Sequence, residues 1–256
     1  MVELQEHLSV LRQQDIWICA VSYDPVDVLA EFAERFGITY PLLSDSDSAV
    51  IRRFGILNTN IPPEHRWYGV PFPGTYMVDV DGRVLTRSFY SDHRKRDAVV
   101  RMVQDDFHIT KTQHGDSQTV TVGEVEVAAY LSAATIRPGQ VVTLTVEIGL
   151  AEGCHIYGEP LPAGYVPTRL MIEEQEGLSA GDVAYPEPVP QRFDMLDEVL
   201  PAYAGQVVLK APIFSLLRED FVLRARLEYQ VCDQDQCYLP QELDLALPIR
   251  CQPNIR

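Results

Sequence analysis

Basic residues are scarce in this chain: 21 lysines and arginines stand against 37 aspartates and glutamates, a formal charge of −16. Nucleic-acid and anionic-membrane surfaces both need a basic footprint, so this balance speaks against either as a partner. Long apolar runs are missing too, and no segment approaches the roughly 20 residues of a membrane-spanning helix. The opening Met-Val-Glu-Leu-Gln-Glu-His has neither a basic head nor an apolar signal core. No export address is expected, which points to the cytoplasm, or to the periplasm if the N-terminus is truncated. Cysteine is sparse as well: five in 256 residues rules out a dense disulfide framework and leaves at least one thiol unpaired in a monomer. Only two cysteines lie close together and no second pair follows them, so no metal and no cofactor is expected.

The close pair is Cys232 and Cys237, in Tyr229-Gln-Val-Cys-Asp-Gln-Asp-Gln-Cys-Tyr-Leu-Pro240. Upstream, Leu223, Ala225, Leu227, Tyr229 and Val231 alternate with Arg224, Arg226, Glu228 and Gln230, the period of a half-buried strand. Downstream, Leu243, Leu245, Leu247 and Ile249 repeat at the same period. The pattern predicts a hairpin with the two thiols flanking its turn. Opposed residues of an antiparallel pair lie about 4.5–5.5 Å apart at Cα, within reach of a disulfide. Continued alternation would set Cys232 on the polar face, open to a partner's sulfur. Three roles stand side by side: a redox pair, a structural staple, or part of a metal site with Cys154 and His155. As a staple, so small a ring would remove only about 2 kcal/mol of unfolded-chain entropy.

At 256 residues and 46% hydrophobic content, the chain is long enough for two ordinary domains. Leu4, Leu8 and Leu11 mark an opening helix, and the apolar run from Ile16 to Val21 a buried strand within Asp15 to Ser22. Asp24-Pro25 reads as a cap and first helical residue, with Leu29, Phe32, Ala33 and Phe36 on one face and Gly37 as the stop. An extended segment follows at Ile38 to Leu43, then a helical turn or two from Ser48 to Phe54. Thr75 to Val80 and Arg83 to Phe89 around Asp81-Gly82 form a hairpin signal, and Arg94 to Phe107 a closing helix. The segment 108–118 is polar and aperiodic, a linker. Beyond it come short strands: Val120 to Leu131, Val142 to Leu150, Thr168 to Glu173 and Gln206 to Phe214. The proline-rich stretch Tyr185 to Tyr203 reads as a surface loop. An α/β domain at 1–107 followed by an all-β antiparallel sandwich at 119–256 is expected.

Residues 1–107 resemble a peroxiredoxin or redoxin domain of the AhpC/TSA type, a thioredoxin-like fold. The resemblance lies in Ile18-Cys-Ala-Val-Ser-Tyr-Asp24, Phe36-Gly-Ile-Thr-Tyr-Pro-Leu-Leu-Ser-Asp45, Arg53-Phe-Gly-Ile56 and Val70-Pro-Phe-Pro-Gly-Thr-Tyr-Met-Val-Asp-Val-Asp-Gly-Arg-Val84. It implies that Pro73 is the proline this fold holds in cis. It also implies a reactive cysteine at the N-terminus of the opening helix, where the helix dipole would lower its pKa. That cysteine and the strand before it are absent, so the thioredoxin-like frame is incomplete and peroxidase chemistry is not expected. Cys19, inside the apolar run, is expected as an inert core thiol. An uncovered sheet edge predicts reduced stability or a homodimer.

Residues 119–250 resemble the N-terminal (alpha) domain of the DsbD-type thiol:disulfide interchange protein, through Gly153-Cys-His-Ile-Tyr157, Tyr203-Ala-Gly-Gln-Val-Val-Leu209 and Tyr229 to Pro240. This implies an immunoglobulin-like sandwich in which Cys232 and Cys237 exchange electrons with thioredoxin-like or other thiol–disulfide protein partners. The motifs bring His155, Tyr157 and Tyr229 to the site, and a cap loop in the region of Phe193, Met195 and Leu196. His155 could serve a thiolate or simply pack in a strand, and Cys251 is expected as a spare exposed thiol. Asp233 and Asp235, between the sulfurs, would raise a thiol's pKa, which suits exchange with a protein better than attack on peroxide. The alternatives are a binding module with a permanent bond, or a truncated form of a peroxiredoxin-like enzyme.

Overall fold

The structure, a computed structural model, describes residues 1–105, 116–193, 198–233 and 236–254. It divides into two compact units, Met1–Thr110 and Lys111–Arg256. Of the expected linker, residues 108–115 lie outside the described residues, and Gln118 already opens a strand.

The first unit runs α1 (Val2–Glu6), α2 (Leu8–Gln13), β1 (Ala20–Ser22), α3 (Val26–Phe36), β2 (Leu42–Ser44), α4 (Ala49–Arg53), β3 (Gly74–Val78), β4 (Val84–Phe89), β5 (Arg96–Asp97) and α5 (Val99–Asp105). The expected opening helix is broken at His7, whose backbone leaves the helical region. The leucine spacing still works as foreseen. Leu8 joins Ile38 and Tyr40, while Leu11 joins Met77, Val99, Met102 and Val103, with Leu4 packed against both groups. Pro25, rather than Asp24, occupies the cap of α3, and the Asp24 carboxylate accepts from the Ser22 hydroxyl at 2.5 Å. Gly37 ends that helix at φ 63°, a conformation that favours glycine. Asp45 holds the start of α4 by accepting from the Val50 and Ile51 amides at 3.1 and 2.8 Å. Burial alone would raise its pKa, but hydrogen bonds from the Ile51 and Val50 amides, the Asp47 side chain and the Ala49 amide together hold the carboxyl below its usual range.

Further expectations fail in this unit. The strand 15–22 shrinks to Ala20–Ser22 and is not buried: Trp17 is 87% exposed, and Cys19 and Val21 face outward with it. Among the described residues β1 pairs only with β2, in parallel, and β3 only with β4. Cys19 is therefore an exposed thiol, not a core one. The bond before Pro73 is not cis; among the described residues only Glu159–Pro160 is. The Pro73 carbonyl instead accepts from the Tyr90 amide at 3.3 Å and extends the β3–β4 ladder, as the trans backbone allows. The hairpin itself forms around Gly82 at φ 79°, and the Asp79 carboxylate accepts from the Asp81 and Arg83 amides.

The second unit is all β: β6 (Gln118–Val122), β7 (Val125–Leu131), β8 (Thr135–Ile136), β9 (Gln140–Leu150), β10 (His155–Tyr157), β11 (Arg169–Ile172), β12 (Leu178–Ala180), β13 (Val189–Phe193), β14 (Glu198–Ala204), β15 (Gln206–Ser215), β16 (Phe221–Tyr229), β17 (Val231–Cys232) and β18 (Gln241–Cys251). One sheet has the order β12-β15-β9-β7-β6 and a second β11-β16-β18-β8. The Ala246 amide of β18 reaches the Gln118 side chain of β6 at 2.7 Å. Leu144, Val146, Ile148, Leu209, Leu223, Leu227, Leu245 and Leu247 supply the core. This is the sandwich architecture expected from the alternating patterns. β9 departs from a half-buried strand: every residue from Gln140 to Val146 is buried, and the strand is hydrogen-bonded on both edges, to β15 and β7.

A third sheet, β13-β14-β10-β17, carries the site. The proline-rich stretch 185–203 is not the loop expected. Val189–Phe193 and Glu198–Ala204 pair antiparallel, with Pro190 opposite Pro201. β13 lies at the sheet's edge, where a missing amide donor is tolerated.

Candidate functional site

β16 and β18 form the hairpin read from the sequence, paired from Phe221–Ile249 to Tyr229–Gln241. At Gln230 the chain leaves that sheet. Its side-chain amide donates to the Tyr238 carbonyl at 3.0 Å, and the next two residues, β17, pair with β10 instead. The switch breaks the period of two, and Cys232 is consequently 1% exposed, not on the polar face. Cys237 is exposed. The two form a disulfide with Cα atoms 4.0 Å apart. The bonded pair thus has one sulfur-bearing residue inside the fold and one at its surface.

Asp233 shapes the turn between them. Its amide donates to the Gln236 carbonyl at 2.9 Å, while its carboxylate accepts from the Gln236 amide at 2.8 Å and the Tyr238 hydroxyl at 2.7 Å. The Tyr238 amide in turn donates to the Val231 carbonyl at 2.9 Å. Asp235 lies outside the described residues.

Beneath the bond sits β10, where the register puts His155 opposite Cys232 and Ile156 opposite Val231. The Tyr157 ring is fully buried beside Cys232 and Leu200, with Leu161 and Tyr165 against them. Its hydroxyl lies 3.4 Å from the Cys232 sulfur and 3.5 Å from that of Cys237. Burial first, then the hydroxyl of Tyr165 and the carboxylate of Glu198, push the Tyr157 pKa up. It remains a protonated donor at neutral pH. His155 packs edge-on to Tyr157 at 5.3 Å. Burial lowers its pKa and Asp233 only partly opposes this, so its ring is neutral at pH 7.

The remaining residues singled out in the sequence scatter. Tyr229 is fully buried at the end of β16, its hydroxyl has no hydrogen-bond partner among the described residues, and burial raises its pKa. Cys154 is a buried free thiol next to β10; burial, then Glu124 and Asp233, raise its pKa. Cys251 is half-buried rather than exposed, donating to the Leu217 carbonyl at 3.1 Å. Pro73 belongs to the first unit. The side chain of Phe193, together with Met195 and Leu196, lies outside the described residues. Among the described residues no cluster of three potential metal ligands exists, and no helix is long and apolar enough to cross a membrane. Leu200, Tyr165 and Glu198 escaped the sequence reading. The alternation of Leu200 and Ala202 inward could have revealed the first, had the prolines around it not suggested a loop.

Comparisons with known proteins find two families on separate stretches of the chain. Residues 1–87 match the AhpC/TSA family, and residues 121–248 match the family described as thiol:disulfide interchange protein DsbD, N-terminal. Thiol-disulfide oxidoreductase ResA of Geobacillus thermodenitrificans is 28% identical over 85 residues, covering 33% of this chain and 41% of that protein. Peroxiredoxin Bcp of Escherichia coli K12 is 26% identical over 85 residues, 32% of this chain and 51% of that one. This chain thus spans about half the length of the curated relatives it matches. The N-terminal periplasmic domain of ScsB from Proteus mirabilis superposes with a TM-score of 0.39 at 19% identity, over 54% of this chain and 52% of that one.

Proposed function

Through residues 121–248 the chain belongs to the DsbD N-terminal family of thiol:disulfide interchange proteins, and from that premise we propose that it exchanges electrons with protein partners through Cys232 and Cys237. The observation that carries this function is the asymmetry of the pair: Cys237 is exposed, while Cys232 is buried against the Tyr157 hydroxyl. An incoming thiolate attacks the Cys237 sulfur, forming a mixed disulfide there. The Cys232–Cys237 bond breaks and its electron pair leaves on the Cys232 sulfur. Tyr157 donates its hydrogen bond to that new thiolate, which burial would otherwise penalise. A second thiol, or the partner's own second cysteine, then attacks the mixed disulfide and releases the Cys237 thiolate. Run backwards, the same steps oxidise the dithiol.

The partners are thioredoxin-like or other thiol–disulfide proteins, able to present a cysteine to an exposed sulfur. A compartment outside the cytoplasm suits this cycle, because disulfides persist there. Cys19 is the one cysteine of residues 1–110 and lies in the stretch leading into β1, not in the first turn of a helix, where a thiolate would be favoured.

Equilibrating the chain in graded dithiothreitol or glutathione redox buffers, then alkylating the free thiols, measures the reduction midpoint of the bond. A value between about −120 and −270 mV, the span of exchange catalysts, is expected. A midpoint below about −300 mV would mark a permanent structural bond and overturn the proposed function.

A further inference from the structure

Carboxylates surround the exchange site on more than one element. Asp233 follows Cys232 directly, and its clasp on Gln236 and Tyr238 fixes a negative charge on the turn that joins the two sulfurs. Glu198, at the start of β14, accepts from the Tyr165 hydroxyl at 2.9 Å. The Tyr165 ring packs edge-on at 5.4 Å against Tyr157, the residue whose hydroxyl touches both sulfurs. The field of these groups is felt by their neighbours. Beyond burial, Glu198 helps raise the pKa of Tyr157, and Glu124 and Asp233 help raise that of Cys154. The hydrogen bond to Asp233 is the main cause that raises Tyr238. Arg169, at the start of β11, is engaged by Glu159 at 2.5 Å.

Resting on the exchange function above, we propose that Asp233 and Glu198 make the site an electrostatic filter: it reacts with thiols carried on neutral or positively charged surfaces and rejects anionic thiols of the glutathione type. The attacking species is itself an anion, so any further negative charge it carries meets the Asp233 carboxylate on the turn that joins the sulfurs and the Glu198 carboxylate on the tyrosine packed against Tyr157. A positive charge on the same molecule is drawn in. Coulomb interactions of this kind act over several ångströms at a protein surface and fade as salt shortens the screening length.

Three small thiols separate charge from chemistry: cysteamine (cationic), 2-mercaptoethanol (neutral) and 3-mercaptopropionate (anionic). With each, two thiols reduce the Cys232–Cys237 bond and leave as one small disulfide, so electrons balance without any further reductant. Second-order rates are measured per thiolate, corrected for each thiol's own reactivity against hydroxyethyl disulfide, at low and high ionic strength. At low salt cysteamine is expected to react about tenfold faster than 3-mercaptopropionate, with 2-mercaptoethanol between them. The ratio is expected to fall towards one in about 0.5 M salt. Asp233→Asn and Glu198→Gln should each narrow the low-salt ratio, and the salt dependence of the unaltered chain tests the filter even if one variant folds poorly. Equal corrected rates for the three thiols at low salt would overturn the filter while leaving the exchange function standing. A bond that none of them opens would overturn that function instead.

Discussion

Cys232→Ser is expected to trap disulfide-bearing partners rapidly as mixed disulfides, and Cys237→Ser to be almost unreactive. The first variant leaves Cys237 as a free thiol at an exposed position, while the second leaves Cys232, 1% exposed and packed on Tyr157 and Leu200. A sulfur so placed reacts only after local opening of β17 or the turn beyond it. If opening costs about 3 kcal/mol, the reactive population falls roughly a hundredfold, since each 1.4 kcal/mol is a factor of ten. Timed reaction of both variants with an aromatic disulfide reagent measures the ratio, and circular dichroism confirms that both remain folded. Comparable rates would contradict the assignment of Cys237 as the attacked sulfur. Uninterrupted alternation through Cys232 would have led to the opposite choice, which is why this pair of variants is decisive.

Tyr157→Phe is expected to slow opening of the disulfide about tenfold or more while leaving the fold intact. The phenyl ring keeps the packing against Cys232, Leu200 and Tyr165; only the hydroxyl at 3.4 and 3.5 Å from the two sulfurs is lost. A hydrogen bond to a charged group contributes roughly 1.5–3 kcal/mol, which sets the size of the effect. Its largest part should fall on the step that leaves charge on Cys232, so the Cys232 thiol pKa, read from the pH dependence of re-oxidation, should rise in the variant. A merely structural Tyr157 would leave both the rate of opening and that pH profile where they are.

Much of the fold was legible because period and punctuation carry direct physical meaning. Leu223 to Tyr229 and Leu245 to Ile249 face inward as their alternation requires, and Gly37 and Gly82 stop or turn the chain where only a permissive backbone fits comfortably. What escaped depends on partners that lie far off in sequence. Trp17 to Val21 has the composition of a buried strand, yet nothing in those residues says whether a neighbour covers their outer face, and here Trp17, Cys19 and Val21 are exposed. Pro190 and Pro201 look like loop formers until they are seen opposite each other at a sheet edge.

The site divides along the same line. The two cysteines, His155 and Tyr157 could be named from the motifs, and the structure brings all four together on β10, β17 and the adjoining turn. Which sulfur is exposed could not be read, because it turns on a change of sheet at Gln230 that two-residue alternation cannot foresee. Tyr229 entered the motif beside Cys232 but ends β16 in the core, on the far side of that change. Asp233 was visible as a charge between the sulfurs, whereas its clasp on Tyr238 needed coordinates.

Repeated electron transfer is the most direct test of a bond that works by opening and closing. A reduced thioredoxin-like protein and a disulfide-bearing acceptor are mixed with catalytic amounts of the chain, and acceptor thiols are counted over time beside the Cys232→Ser/Cys237→Ser double variant. Acceptor reduction through many turnovers, lost entirely in the double variant, is the expected result. Transfer that continues undiminished without the two sulfurs would contradict the account.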